Sequence, residues 1–125
     1  MKISAELKRC RGWIENALAQ NGKTHSFEDI VRELIEKRMQ FWSGQNGCAI
    51  TEIIKYPNDK EMNVFLYGGK IGSGIKQLEM MKESLFQFGR DNGCTKISIT
   101  GRRGWKKVLD KHGFKNTFIT MERAL

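Results

Sequence analysis

Tyr67-Gly68-Gly69-Lys70-Ile71-Gly72-Ser73-Gly74 lies between an apolar strand candidate, residues 62–67, and a long amphipathic segment. A glycine-rich turn that opens a helix leaves backbone N–H groups facing outward, and the helix dipole favours negative charge at that end. The run therefore marks a place suited to an anion such as a phosphate. The same glycines can also do no more than close a tight turn. Beyond it, Ile71, Ile75, Leu78, Leu85 and Phe88, with Met81 beside them, recur on one face of a helix of about five turns. Asn92-Gly93 stops that helix, and residues 96–100 form a strand in which Ile97 and Ile99 alternate with polar residues. The strand–helix–strand step over residues 62–100 predicts a right-handed crossover that sets the two strands parallel.

Upstream, the pattern is helical and then changes period. Ser4 is placed to cap a first helix carrying Leu7, Cys10, Ile14, Ala17 and Leu18 at helical spacing, and Asn21-Gly22 ends it. Ser26 caps a second helix, with Glu28 and Asp29 in the first turn and Phe27, Ile30, Val31, Leu34 and Ile35 as its apolar stripe. Residues 39–43 read as a short strand, Gly44-Gln45-Asn46-Gly47 as a hairpin turn, and residues 48–56 as a long strand with Ile50, Glu52 and Ile54 on one face. Residues 57–60 read as a second turn. Downstream, Trp105, Val108, Leu109 and His112 share a face of a short helix closed by Gly113, and residues 117–122 read as a last strand. The order is α-α-β-β-β-α-β-α-β, an α/β (α+β) chain with a mixed central sheet and helices on its faces.

Composition narrows the function classes. A chain of 125 residues with 39% hydrophobic and 29% charged residues fits one soluble domain, residues 1–125. The net charge of +8 suits polyanionic partners, either nucleic acid or phosphate-bearing ligands such as coenzyme A, and is equally met by a solvated basic surface. Cys10, Cys48 and Cys94 are far apart and sit in apolar patterns, which reads as buried thiols in a reducing compartment rather than a metal site. The charged N-terminus does not read as a signal peptide. No stretch approaches the ~20 apolar residues of a membrane span. Cytoplasmic location without a membrane partner is the expectation.

The element order resembles that of the GNAT superfamily of acyl-CoA-dependent N-acyltransferases, in a form lacking the usual first strand. Two local motifs support this. Gly69-Lys70-Ile71-Gly72-Ser73-Gly74 is similar to the family's cofactor turn, Gln/Arg-x-x-Gly-x-Gly/Ala, with Gly69 in place of the initial Gln/Arg and Lys70 one position later. Leu109-Asp110-Lys111-His112-Gly113-Phe114 is similar to the late motif Tyr-x-x-x-Gly-Phe, with Leu109 where the family often places a tyrosine general acid. A narrower resemblance, to small GNAT-like proteins of tailed bacteriophages and prophages, rests on Phe41-Trp42-Ser43-Gly44, Ile50-Thr51-Glu52-Ile53, Leu66-Tyr67-Gly68-Gly69 and Gly101-Arg102-x-Gly104-Trp105…Gly113-Phe114. Some of those proteins are virion-associated.

The resemblance implies acetyl transfer from acetyl-CoA to an amine in a ternary complex. It places the backbone of Phe65, Leu66 and Tyr67 along the pantetheine arm, and Gly72, Ser73 and Gly74 at the pyrophosphate. Lys70 and Lys76 add positive charge. Glu52, on a strand face between Ile50 and Ile54, is the candidate base, or else a solvated carboxylate. Leu109 cannot donate a proton, which leaves Tyr67, and then Ser98, as candidate acids. Arg102 and Arg103, with Lys106, Lys107 and Lys111, form a basic patch suited to the 3′-phosphate of coenzyme A, to a nucleic-acid backbone, or simply to solvent. The competing expectations are a protein-binding or virion component that keeps the scaffold, and a basic nucleic-acid-binding module. An open sheet edge would also invite a second copy into a homodimer.

Overall fold

The computed structural model describes residues 4–20, 23–100 and 105–125, with the side chains of Ile75, Trp105, Lys106 and Val108 left out. Its elements are α1 (Ala5–Gln20), α2 (Phe27–Ile35), β1 (Met39–Ser43), β2 (Gly47–Tyr56), β3 (Asp59–Gly69), α3 (Gly74–Asp91), β4 (Lys96–Ile99) and α4 (Trp105–Asp110). The four strands form one sheet in the order β1-β2-β3-β4. The first two ladders are antiparallel and the last is parallel, as a helical crossover from β3 to β4 requires.

Local chemistry sets the helix starts. Ser4 Oγ accepts from Leu7 N at 3.1 Å. Ser26 and Asp29 form a reciprocal capping box, at 3.1 Å from Asp29 N to Ser26 Oγ and 2.8 Å from Ser26 N to Asp29 Oδ2. Leu7, Cys10, Ile14 and Leu18 of α1, with Phe27 and Ile30 of α2, are buried against Met39, Cys48, Ile50 and Leu66 on one face of the sheet. Leu78, Met81 and Leu85 of α3 are buried. Met81 and Leu85 pack on Ala49, Met62 and Val64 on the other face. Each fully buried Ile or Leu contributes about 1.5–3 kcal/mol by leaving water. Thr51 is buried without penalty because its hydroxyl accepts from Trp42 Nε1 and donates to Gln40 Oε1, both at 2.9 Å.

Three expectations need correction. The β2–β3 turn is not four residues: Tyr56 pairs with Asp59, so β3 starts at Asp59 and only Pro57 and Asn58 turn the chain. Ile71 lies outside the buried stripe, fully exposed, because α3 begins at Gly74. Residues 117–122 form no strand: the segment has no regular secondary structure and is exposed, with no partner strand among the described residues. An alternating apolar pattern suits a strand but does not by itself make one, because a strand forms only where its backbone pairs with a neighbour.

The β2–β3 ladder carries a bulge that local sequence does not announce. Ile50 pairs with Leu66 but Thr51 pairs with Val64, so Phe65 is an extra residue on β3. Phe65 and Leu66 therefore both face α1 and α2, whereas Val64 and Tyr67 both face α3.

Candidate active site

The bulge coincides with the end of the β3–β4 ladder. Its last rung joins Val64 to Ile99, and β4 stops there while β3 continues to Gly69. Five residues of β3, Phe65 to Gly69, thus overhang its neighbour, and four of them, Leu66 to Gly69, are still paired with β2. The five include Phe65, Leu66 and Tyr67, which the resemblance places beside the pantetheine arm.

The overhang leads straight into the glycine turn. A Cβ on Gly68 would lie 2.7 Å from the Trp13 carbonyl oxygen of α1, and one on Gly69 would lie 2.5 Å from the Asn46 carbonyl oxygen. Lys70 N donates to that same Asn46 oxygen at 2.8 Å, which seats the β1–β2 hairpin against the turn. Gly69 thus stands where the family motif carries a long side chain because the hairpin leaves no room for one. Ser73 N donates to Lys70 O at 3.1 Å, and Gly72 has φ +85°, the third-position geometry of a type II turn. Ser73 makes no side-chain cap, since its hydroxyl donates to Lys70 O at 2.7 Å. Among the described residues no side chain caps the first turn of α3, which keeps the positive end of the helix dipole. Lys70 and Lys76, both exposed, flank this end.

Tyr67 fastens the turn to the strand. Its hydroxyl donates to Gly74 O at 2.8 Å. Burial raises its pKa well above the usual phenol value, with the neighbouring Cys48 adding to the effect. A hydroxyl held this way keeps its proton, and its visible contribution is to hold the helix start in place.

The α1/α2 face of the sheet brings together candidates that are far apart in sequence. Glu52 pairs with Asn63 across β2–β3, and Asn63 with Ser98 across β3–β4. The three residues form one row, a single rung from the end of the β3–β4 ladder. Ser98 Oγ donates to Glu61 Oε2 and lies 3.0 Å from Asn63 Oδ1. Glu61 is also paired with Lys96, whose Nζ lies 3.7 Å from Oε1. Half-buried Glu52, in contrast, has no hydrogen bond or ion pair among the described residues. Glu52 is thus a carboxylate to which the described residues offer no partner, whereas Glu61 on the neighbouring row has two.

Two further residues border the site without having been expected there. His25, in the α1–α2 connection, meets the Phe65 ring edge-on at 4.8 Å, and its Nδ1 lies 2.8 Å from Thr24 Oγ1. Asn63 joins Glu52 to Ser98. Cross-strand register is the only signal for Asn63, and none in the sequence marks His25. Arg102 and Arg103 lie outside the described residues, while Lys107 and Lys111 are exposed. Burial raises the pKa of the Cys10 and Cys48 thiols, which keeps them protonated and inert. Cys94 is half-buried rather than buried. No described helix is long and apolar enough to cross a membrane.

No protein-family model and no curated protein matches the sequence. Solved structures do. Glucosamine-6-phosphate N-acetyltransferase from Arabidopsis thaliana superposes with a TM-score of 0.68 at 19% identity, over 99% of this chain and 95% of that one. A predicted acetyltransferase with acetyl-CoA from Clostridium acetobutylicum gives 0.67 at 15% identity, over 94% and 87%. A transcriptional regulator from Bacillus halodurans C-125 gives 0.74 at 11% identity, over 99% and 96%. Likeness at this identity speaks for the fold, and the third structure shows that the fold carries more than one kind of name. The chain has the fold of the GNAT acetyltransferases.

Proposed function

We propose that this chain binds acetyl-CoA and transfers its acetyl group to an amine. The observation that carries the reading is the β3 overhang running into a type II turn and an uncapped helix N-terminus. That arrangement fits the cofactor in two respects. The strand edge suits the amide-bearing pantetheine arm, and the α3 N-terminus, flanked by Lys70 and Lys76, suits the pyrophosphate. Gly72, Ser73 and Gly74 bring the backbone close enough for that contact. When bound, acetyl-CoA supplies the acetyl group as a thioester.

The chain's own part is positioning and proton removal. Glu52, one rung from the end of the β3–β4 ladder, takes the proton that an ammonium acceptor must lose to become a nucleophile. Asn63 and Ser98 in the same row orient the acceptor by hydrogen bonds, and the Ser98 hydroxyl is itself oriented by Glu61. Tyr67 holds the turn and Leu109 donates nothing, so the departing thiol takes its proton from solvent or from the acceptor side.

Thermal unfolding with saturating acetyl-CoA, and with ATP as the anion control, tests this. A ligand at ~100 times its dissociation constant stabilises the fold by about 2.7 kcal/mol, a rise of several degrees in a domain of this size. The expected result is a shift with acetyl-CoA and none with ATP. Equal shifts would indicate general anion binding by a basic surface. No shift would overturn the reading in favour of a scaffold kept for a protein or virion partner.

A further inference from the structure

We propose that Gln77 is a positioning residue for the cofactor turn: it fastens the β1–β2 hairpin to α3 and holds residues 70–77 in the form that receives acetyl-CoA. The proposal rests on the reading above that this turn is the cofactor site. Gln77 is 4% exposed and, with Thr51, is a buried polar side chain in a core otherwise apolar. An amide is costly to take out of water unless it is hydrogen-bonded. On α3 it lies beside Leu78 and one turn before Met81, both buried, where packing alone would call for an apolar residue.

The hairpin supplies the reason for an amide. Gln77 Oε1 accepts from Asn46 N at 2.9 Å. The carbonyl of the same residue, Asn46 O, accepts from Lys70 N at 2.8 Å. Asn46 therefore grips the turn twice, where it leaves β3 and again where it has become helix, since Gln77 N closes the first turn of α3 on Ser73 O at 3.0 Å. Two glycines make room for the side chain: a Cβ on Gly44 would run into Gln77 Nε2, and one on Gly47 would lie 3.0 Å from Gln77 Cγ. The hairpin is itself anchored to α1. Arg9 donates from Nη2 to Gly44 O at 2.6 Å and from Nη1 to Gln45 O at 3.1 Å, with Glu6 orienting the guanidinium through two bonds of 2.9 and 3.0 Å.

Between the two grips, packing does little to hold the turn. Ile71 is fully exposed, and no atom lies within 4 Å of the place a Cβ on Gly72 would take. The conformation of residues 70–77 thus depends on its ends, and Asn46 and Gln77 fix both. A site arranged before the ligand arrives binds more tightly, because apparent affinity falls in proportion to the population of the competent form.

Gln77→Met keeps the length and bulk of the side chain and removes the acceptor. Titration calorimetry should show acetyl-CoA binding about tenfold weaker, as when the competent form falls to about one-tenth of the population. Amide hydrogen exchange followed by NMR gives a reading that does not depend on the cofactor. In the unaltered chain the Asn46 and Lys70 amides should be protected and open together, and in Gln77→Met both should exchange faster, although the bond of Lys70 N is itself untouched. Ile30→Val, which trims the core beneath α2, should alter neither the affinity nor the exchange at Lys70, and so separates positioning from a general loss of stability. Equal affinity in Gln77→Met and the parent overturns the proposal, as does an equal weakening in Ile30→Val. A Lys70 amide that is unprotected in the parent, or unmoved by Gln77→Met, overturns it as well. A parent chain that does not bind acetyl-CoA removes the cofactor site and the proposal with it; that failure is told apart because exchange at Lys70 would still respond to Gln77→Met.

Discussion

The two ends of β3 are built from different chemistry. At the lower end, Glu61 to Val64 pair on both sides, and polar side chains tie the ladder across its face: Ser98 to Glu61, Lys96 to Glu61 and to Asp59, Thr95 to Asp59. At the upper end, a bulge ends the pairing with β4, and two glycines replace side chains so that Trp13 and Asn46 can approach. The lower end spends its polar groups on itself. The upper end leaves a strand edge and a helix terminus turned outward. A site needs groups that folding has not consumed, and in this sheet they are the β3 edge beyond Val64 and, one rung inside the ladder, the Glu52 carboxylate.

Glu52 and Glu61 test that contrast most strongly, being carboxylates on neighbouring rows with different commitments. Glu52→Gln should lower turnover of an amine acceptor about 10²–10⁴-fold, the usual contribution of a positioned base. The thermal shift with acetyl-CoA should be unchanged. Glu61→Gln keeps a hydrogen-bond acceptor for Ser98 and should change turnover far less. Equal losses in the two variants would break the comparison, since the committed carboxylate would then matter as much as the uncommitted one.

The glycines give the next largest effect. Gly69→Ala sets a Cβ against backbone atoms of the hairpin, 2.5 Å from Asn46 O and 2.9 Å from Gly47 Cα, and neither can move as a side chain tip would. Urea unfolding should show a loss of about 1–3 kcal/mol, typical of overpacking. Gly72→Ala meets no atom within 4 Å but must hold φ near +85°, for a loss of about 1 kcal/mol. The smaller stability effect should carry the larger binding effect, since Gly72 lies in the turn at the helix N-terminus. A weaker acetyl-CoA shift in Gly69→Ala than in Gly72→Ala would reverse that assignment.

What was legible in the sequence follows the same division. Short-range signals were legible: the Ser26 cap, the Asn46-Gly47 hairpin, the glycine turn and the strand–helix–strand crossover all follow from segments adjacent in the chain. The bulge at Phe65 did not show, because it is a mismatch of register between β2 and β3, and a continuous apolar strand looks the same with or without it. Glu52 and Ser98 were visible as separate candidates, but the row that joins them through Asn63 exists only after three strands are aligned. Gly68 and Gly69 read only as the start of the glycine-rich run, and close packing against Trp13 and Asn46 is what requires them. Residues 117–122 have the pattern of a strand but pair with no strand among the described residues.

Tyr67 sharpens the comparison at the upper end. Tyr67→Phe removes the hydroxyl that donates to Gly74 O and should cost about 0.5–1.5 kcal/mol in unfolding. If the tyrosine holds the turn rather than donating a proton, turnover should fall only as far as acetyl-CoA binding falls. A drop in kcat at saturating acetyl-CoA, with binding intact, would return Tyr67 to the chemistry.

The smallest expected effect lies at the paired end and concerns acid. The Asp59 carboxylate is held below its ordinary pKa of 3.8, first by the Thr95 hydroxyl, then by the Lys60 N–H, with Lys96 adding to it. A carboxyl group whose pKa is lower in the folded state contributes its stability above the unfolded pKa and loses it as pH falls through the folded one. Asp59→Asn should therefore be less stable than the parent chain at about pH 5, with the gap closing toward about pH 2. The group is exposed and its partners are wet, so the difference in urea midpoint should be slight and should shrink further in salt. A gap that stays constant across this range would mean that Asp59 acts through the geometry of the Pro57–Asn58 turn, and that the lower end of β3 is tied by shape rather than by charge.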